Sequence, residues 1–86
     1  MEDVEIVHRF QKNPEEEIRF SLGEYKERRY LDVRLWFLPS SGGDYRPSKK
    51  GLTVSMEHLE ELKRGLDRAE KAASEMALQQ GRQQIK

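Results

Sequence analysis

Between Tyr25 and Lys50 the chain places seven basic side chains, Lys26, Arg28, Arg29, Arg34, Arg46, Lys49 and Lys50, against only Glu27, Asp32 and Asp44. Tyr25, Tyr30, Trp36, Phe37 and Tyr45 are interleaved with them. Cations at this density attract phosphates, and aromatic faces stack on unpaired bases with little regard to base order. The pairing fits a polyanion that carries flat bases. The segment has a net charge of +4, whereas residues 1–24 hold three basic and seven acidic groups and residues 51–86 hold six of each. The overall charge of zero therefore hides an asymmetry along the chain.

Other chemistry has little to stand on. His8 and His58 fall on different elements with no third ligand at metal spacing. The Gly42-Gly43 and Ser48-Lys49-Lys50 region lacks the order of a phosphate-binding loop, and no Ser, His and Asp set is suggested by spacing. The run Glu15-Glu16-Glu17 could imitate paired catalytic carboxylates, but solvated charge or a decoy for the basic segment is the better reading. Neither an enzyme nor a metal or other cofactor is expected. Without cysteine there is no disulfide framework, which leaves an intracellular protein as the default. The acidic start MEDVEIVHRF does not resemble a signal peptide, and no apolar run approaches the roughly 20 residues that span a bilayer. The expectation is a soluble, cytoplasmic protein without a membrane partner, associated with the nucleoid if the source is bacterial.

Short elements must position the basic and aromatic groups. Residues 4–10 are rich in β-branched side chains and precede a turn at Lys12-Asn13-Pro14, which predicts a first strand. From Glu17 to Tyr25, Ile18, Phe20 and Leu22 alternate with Arg19 and Ser21, as in a half-buried antiparallel strand. Over 29–38 the alternation is clearest. Leu31, Val33, Leu35 and Phe37 face a core, while Tyr30, Asp32, Arg34 and Trp36 form a working face. Pro39 to Asp44 is a breaker cluster, and a brief fourth strand is expected over Gly51 to Val54. Ser55 then stands at an N-cap position before a long helix with Glu57, Glu60 and Glu61 in its first turns. Leu59, Leu62, Leu66, Ala69, Ala73 and Met76 recur at spacings of three and four, a narrow stripe suited to a partner helix as well as to the sheet. A single domain over 1–78 is expected, with 79–86 a polar tail that frays. At 86 residues such a domain buries little apolar surface, and self-association is the simplest remedy.

The run Tyr30-Leu31-Asp32-Val33-Arg34-Leu35-Trp36-Phe37, followed by Arg46-Pro47-Ser48-Lys49-Lys50-Gly51-Leu52-Thr53-Val54, resembles the transcriptional positive cofactor 4 family in its C-terminal single-strand-binding domain. The likeness covers roughly residues 17–70. It implies an α+β fold, a curved four-stranded antiparallel sheet followed by one long C-terminal helix, assembled as a two-fold homodimer. That dimer forms through the helices and sheet edges, and the helical stripe puts its interface on Leu59, Leu62, Leu66, Ala69 and Ala73. It also implies binding of single-stranded DNA and melted duplex with little sequence preference. The family's stacking aromatic falls on Tyr25 and the basic residues after it on Lys26 and Arg28. The third-strand arginine falls on Arg34, and the closing aromatic on Phe37 with Trp36 beside it. The basic residues of the next segment fall on Arg46, Lys49 and Lys50.

Three departures qualify the likeness. Glu27 stands where the family often has glycine, the Ser40 to Asp44 loop is one residue longer, and the long Ser-rich and acidic N-terminal extension of the eukaryotic type is expected to be absent. The bare domain resembles the stand-alone bacterial relatives. Phe37 is core by parity but a nucleic-acid contact by resemblance. Arg34 could bind phosphate or simply pair with Asp32. Tyr25 and Trp36 could stack bases or lie as amphipathic lids on the core. The expected partners are single-stranded DNA, with RNA not distinguished from it, and a second copy of the chain. The alternative is an adaptor of the transcription machinery that uses the same basic patch.

Overall fold

In a computed structural model, residues 3–84 are described. Four strands, β1 (Asp3–Asn13), β2 (Glu16–Tyr25), β3 (Arg28–Phe37) and β4 (Arg46–Ser55), form one antiparallel sheet in sequence order, with β1 and β4 at its edges. A 3-10 turn over Met56–His58 leads into a helix, α1 (Leu59–Gln84). The chain divides into two compact units, the sheet through Met56 and the helical segment from Glu57. The expected α+β class and the order of four strands and one helix are as observed.

Register fixes the faces of the sheet, because residues directly opposite on neighbouring strands point the same way. Ile18 pairs with Leu35, Phe20 with Val33 and Leu22 with Leu31, while Leu52 and Val54 continue this apolar face on β4. Leu31 and Leu35 are the buried apolar residues among those described. Phe37, opposite Glu16 and Arg46, lies on the same face. Alternation along β3 is unbroken against β2, so parity decides its side and no bulge reverses it. On the outer part of this face His8, Phe10 and Phe20 form a tilted aromatic cluster with ring centroids 5.5–6.3 Å apart.

Three features of the strands differ from expectation. The turn at the start of β2 is tighter than Lys12-Asn13-Pro14, since β1 runs through Asn13. There the Asn13 carboxamide oxygen accepts from the Glu15 N–H at 2.9 Å and its nitrogen donates to Glu16 at 2.7 Å. That hydrogen bond, with the charges of Lys12 and Lys50, holds the Glu16 carboxyl below the usual carboxylate range. β1 carries bulges at Val7 and Lys12, so Val4 and Ile6 face the polar side while His8 and Phe10 face the apolar one. The fourth strand is also longer than Gly51 to Val54, because Arg46 to Lys50 belong to it: Pro47 pairs with Trp36 and Arg46 with Phe37.

At the strand-to-helix junction Ser55 ends β4 and its hydroxyl is buried without a hydrogen-bond partner, so it does not cap a helix that starts only at Leu59. Within the helical unit Leu59 and Leu62 are half-buried, whereas Leu66, Ala69, Ala73 and Met76 are exposed, Leu66 at 57%. The backbone stays helical across the polar run to Gln84; the last part of the expected tail, 85–86, lies outside the described residues.

Candidate nucleic-acid interface

The polar face of the sheet is built from β3 outward. Asp32 and Arg34 are two residues apart on one strand and therefore neighbours on one face. Arg34 Nε donates to Asp32 Oδ2 at 3.0 Å and Nη2 to Oδ1 at 2.9 Å, a bidentate pair. Thr53 on β4, directly opposite Asp32, donates to Oδ1 at 2.7 Å. Burial pushes the Asp32 carboxyl up, but the hydrogen bonds from Arg34 and Thr53 and the charge of Arg34 outweigh it and hold the group below its ordinary range. The hydrogen bond to Asp32 in turn raises Arg34. A further N–H of Arg34, on Nη1, donates to the Ser48 carbonyl at 2.9 Å. Gly51 lies opposite Arg34, and a Cβ there would come within 2.9 Å of Arg34 Cζ and of the Val33 carbonyl oxygen.

Beside this network lies an aromatic and ionic cluster. The Arg19 guanidinium sits 4.2 Å from the centroid of Trp36 and 5.3 Å from that of Tyr45. Its partner is Glu17, only 6% exposed, which also lies 3.9 Å from the exposed Arg9. Tyr45 accepts a hydrogen bond from Gln11 Nε2 at 3.0 Å, which links the segment before β4 to β1. The indole N–H of Trp36 is buried without a partner. The acidic run at 15–17 is thus not simply solvated charge. Strand pairing draws Glu17 into the polar face, where burial without its two arginines would be costly.

The opposite end of β3 carries the other expected residues. Lys26 and Glu27 form the tight turn between β2 and β3, both with positive φ, 50° and 66°. This is the left-handed pair that a two-residue hairpin requires, so glycine would suit the Glu27 position on steric grounds. Tyr25 is 48% exposed, with Lys26 Nζ 5.3 Å from its ring centroid. Arg28 is exposed, as are Arg46, Lys49 and Lys50 on β4. Two positive groups therefore stand at opposite ends of the sheet, Tyr25, Lys26 and Arg28 at one and Arg46, Lys49 and Lys50 at the other. The eight residue steps along β3 from Arg28 to Trp36 separate them by about 27 Å at strand spacing. Arg34 and Trp36 sit on the polar face near the second group, both already engaged by neighbouring side chains.

The residues that sequence reasoning missed are those that hold others in place. Arg19 was visible only as a polar-parity residue, and Glu17, Gln11, Tyr45, Ser48 and Thr53 gain their roles from register. Among the described residues no three His, Cys, Asp or Glu groups cluster as metal ligands, and no helix is long and apolar enough to cross a membrane.

Comparison with known proteins agrees with this architecture. The family model described as Transcriptional Coactivator p15 (PC4) matches residues 12–65. Crystal structures of a PC4 homolog from Burkholderia pseudomallei superpose with a TM-score of 0.71 at 31% identity in the orthorhombic form, covering 81% of this chain and 93% of that one. The tetragonal form gives 0.72 at 32% identity, covering 79% and 98%. The bacteriophage T5 homolog of the eukaryotic coactivator PC4, implicated in recombination-dependent DNA replication, shares the fold with a TM-score of 0.63 at 18% identity, covering 93% of this chain and 89% of that one. No curated protein sequence matches the chain. With a family model spanning more than half of the chain and a solved homolog of similar length at over 30% identity, the protein belongs to the transcriptional coactivator p15 (PC4) family.

Proposed function

We propose that the protein is a non-enzymatic, dimeric, coactivator-like protein that binds single-stranded DNA without sequence specificity. The observation that carries this reading is the pair of exposed basic groups at the two ends of β3 in a member of this family, with Tyr25 exposed beside one of them and Trp36 near the other. Lys49 and Lys50 make no ion pair among the described residues, and Lys50 acts on Glu16 only through its charge at longer range, so both ammonium groups can meet phosphate. Exposed Leu66, Ala69 and Ala73 supply the stripe through which two helices associate, and the dimer doubles the cationic surface.

Three phosphate contacts per protomer, from Arg46, Lys49 and Lys50, give about six per dimer and a log–log salt slope of about −4 at roughly −0.7 per contact. Titration of a fluorescent oligo-dT with wild type and with the triple variant of these residues to Ala tests the reading. Tight binding that prefers the single strand over matched duplex and is lost in the variant is expected. Equal or absent binding in both proteins would transfer the basic patch to the adaptor role.

A further inference from the structure

We propose, building on the single-strand reading above, that Arg34 serves binding as a positioning residue. Asp32, itself held by the Thr53 hydroxyl, holds the Arg34 guanidinium so that it clamps the bulged Ser48–Lys50 segment of β4 and sets Lys49 and Lys50 for phosphate.

The bulge creates the need. Between the pairs Arg34↔Gly51 and Trp36↔Pro47, three residues of β4, Ser48, Lys49 and Lys50, lie opposite the single residue Leu35. A segment with extra residues loses ladder hydrogen bonds, and its backbone groups need other partners. Two replacements are present: Arg34 Nη1 donates to the Ser48 carbonyl at 2.9 Å, and the Lys50 N–H donates to Ser48 Oγ at 3.0 Å. Only an arginine can grip Asp32 with two nitrogens and still reach the carbonyl with a third, because its donors form a rigid fork. Gly51 leaves the space in which that fork lies. The charge of Arg34 is largely spent on Asp32, whereas the two lysines that it positions have no ion-pair partner among the described residues. Its main effect on a polyanion is therefore exerted through them.

Charge and position make opposite predictions for Asp32→Asn. Removing a carboxylate from a basic face should tighten DNA binding if only net charge matters. Loosening the clamp should weaken it. The test measures oligo-dT affinity and salt slope for wild type, Asp32→Asn, Arg34→Lys and the Lys49→Ala/Lys50→Ala double variant. It also measures amide hydrogen exchange at residue 50 in the free proteins, with the thermal midpoint confirming that each is folded.

The clamp predicts that Asp32→Asn and Arg34→Lys weaken binding by about tenfold or more and move the slope from about −4 toward the roughly −1.4 left when both lysine contacts are lost. Both variants should speed exchange at residue 50, whereas the double lysine variant loses slope but keeps that protection. Wild-type affinity and slope in Asp32→Asn or in Arg34→Lys would overturn the positioning role. Unchanged exchange at residue 50 in both would overturn the clamp itself, whatever binding does. A wild type that fails to bind oligo-dT while its residue 50 amide is protected would instead overturn the single-strand reading, and with it the use assigned to the clamp.

Discussion

Asp32 takes hydrogen bonds from Arg34 and Thr53 while nearly withdrawn from solvent, and this couples the polar face to pH. Its folded-state pKa lies below the value of about 3.9 expected in the unfolded chain. The unfolded state therefore takes up the proton first as pH falls, and the stability that Asp32 contributes is fully present above about pH 4 and lost as pH drops through the lower folded value. Urea unfolding between neutral and strongly acidic pH should show a smaller acid loss in Asp32→Asn than in wild type; identical acid arms would remove Asp32 from this role. Glu27 gives a second test. Its φ of 66° strains a residue with a Cβ by roughly 1 kcal/mol, partly offset by the greater unfolded-state freedom of glycine. Glu27→Gly should raise stability by up to about 1 kcal/mol and tighten oligo-dT binding by removing a carboxylate beside Tyr25 and Lys26; a fall in the thermal midpoint would contradict the strain. The left-handed conformation at Glu27 was legible only through the family's glycine. The two candidate uses of Arg34 could not be separated in sequence, because the neighbour that matters besides Asp32, the Ser48 carbonyl, is a backbone atom on another strand.

Alternation made β2 and β3 readable, because both have one apolar face and the period of two is unbroken over their mutual pairing. The edge strands resisted for a physical reason. In β1 a one-residue bulge shifts parity midway, so Val4 and Ile6 fall on one face and His8 and Phe10 on the other, whereas the β4 bulge adds two residues and interrupts the pairing without changing parity. In β4 the sequence Arg46-Pro47-Ser48-Lys49-Lys50 reads as a loop, since proline and a charge cluster are turn signals, yet it is strand held at an edge where proline is tolerated. Gly51 is the element's most constrained position. Gly51→Ala would set a Cβ against the Val33 carbonyl and the Arg34 guanidinium, and because one of these is backbone the clash cannot be relieved by a rotamer change. A loss of about 1–3 kcal/mol is expected in chemical denaturation. A neutral result would show that β4 shifts freely against β3, which the clamp forbids.

For the whole molecule, the neutral total charge conceals a basic middle segment, and the family resemblance anticipated both the sheet order and the terminal helix. The proposed dimer would seat a second copy on the exposed stripe of α1. Burying one leucine fully contributes about 1.5–3 kcal/mol, so placing a charge in the proposed seam should be severe. Leu66→Glu should shift the protein from dimer to monomer in sedimentation equilibrium and reduce the salt slope of DNA binding toward half; a wild type that sediments as a monomer would remove the dimer from the account. The most direct test of the central claim is the oligo-dT titration of wild type across salt concentrations. Single-strand binding that outcompetes matched duplex and falls with a log–log slope of about −4 is predicted, whereas binding insensitive to salt, or none at all, would contradict a phosphate-led interface on this sheet.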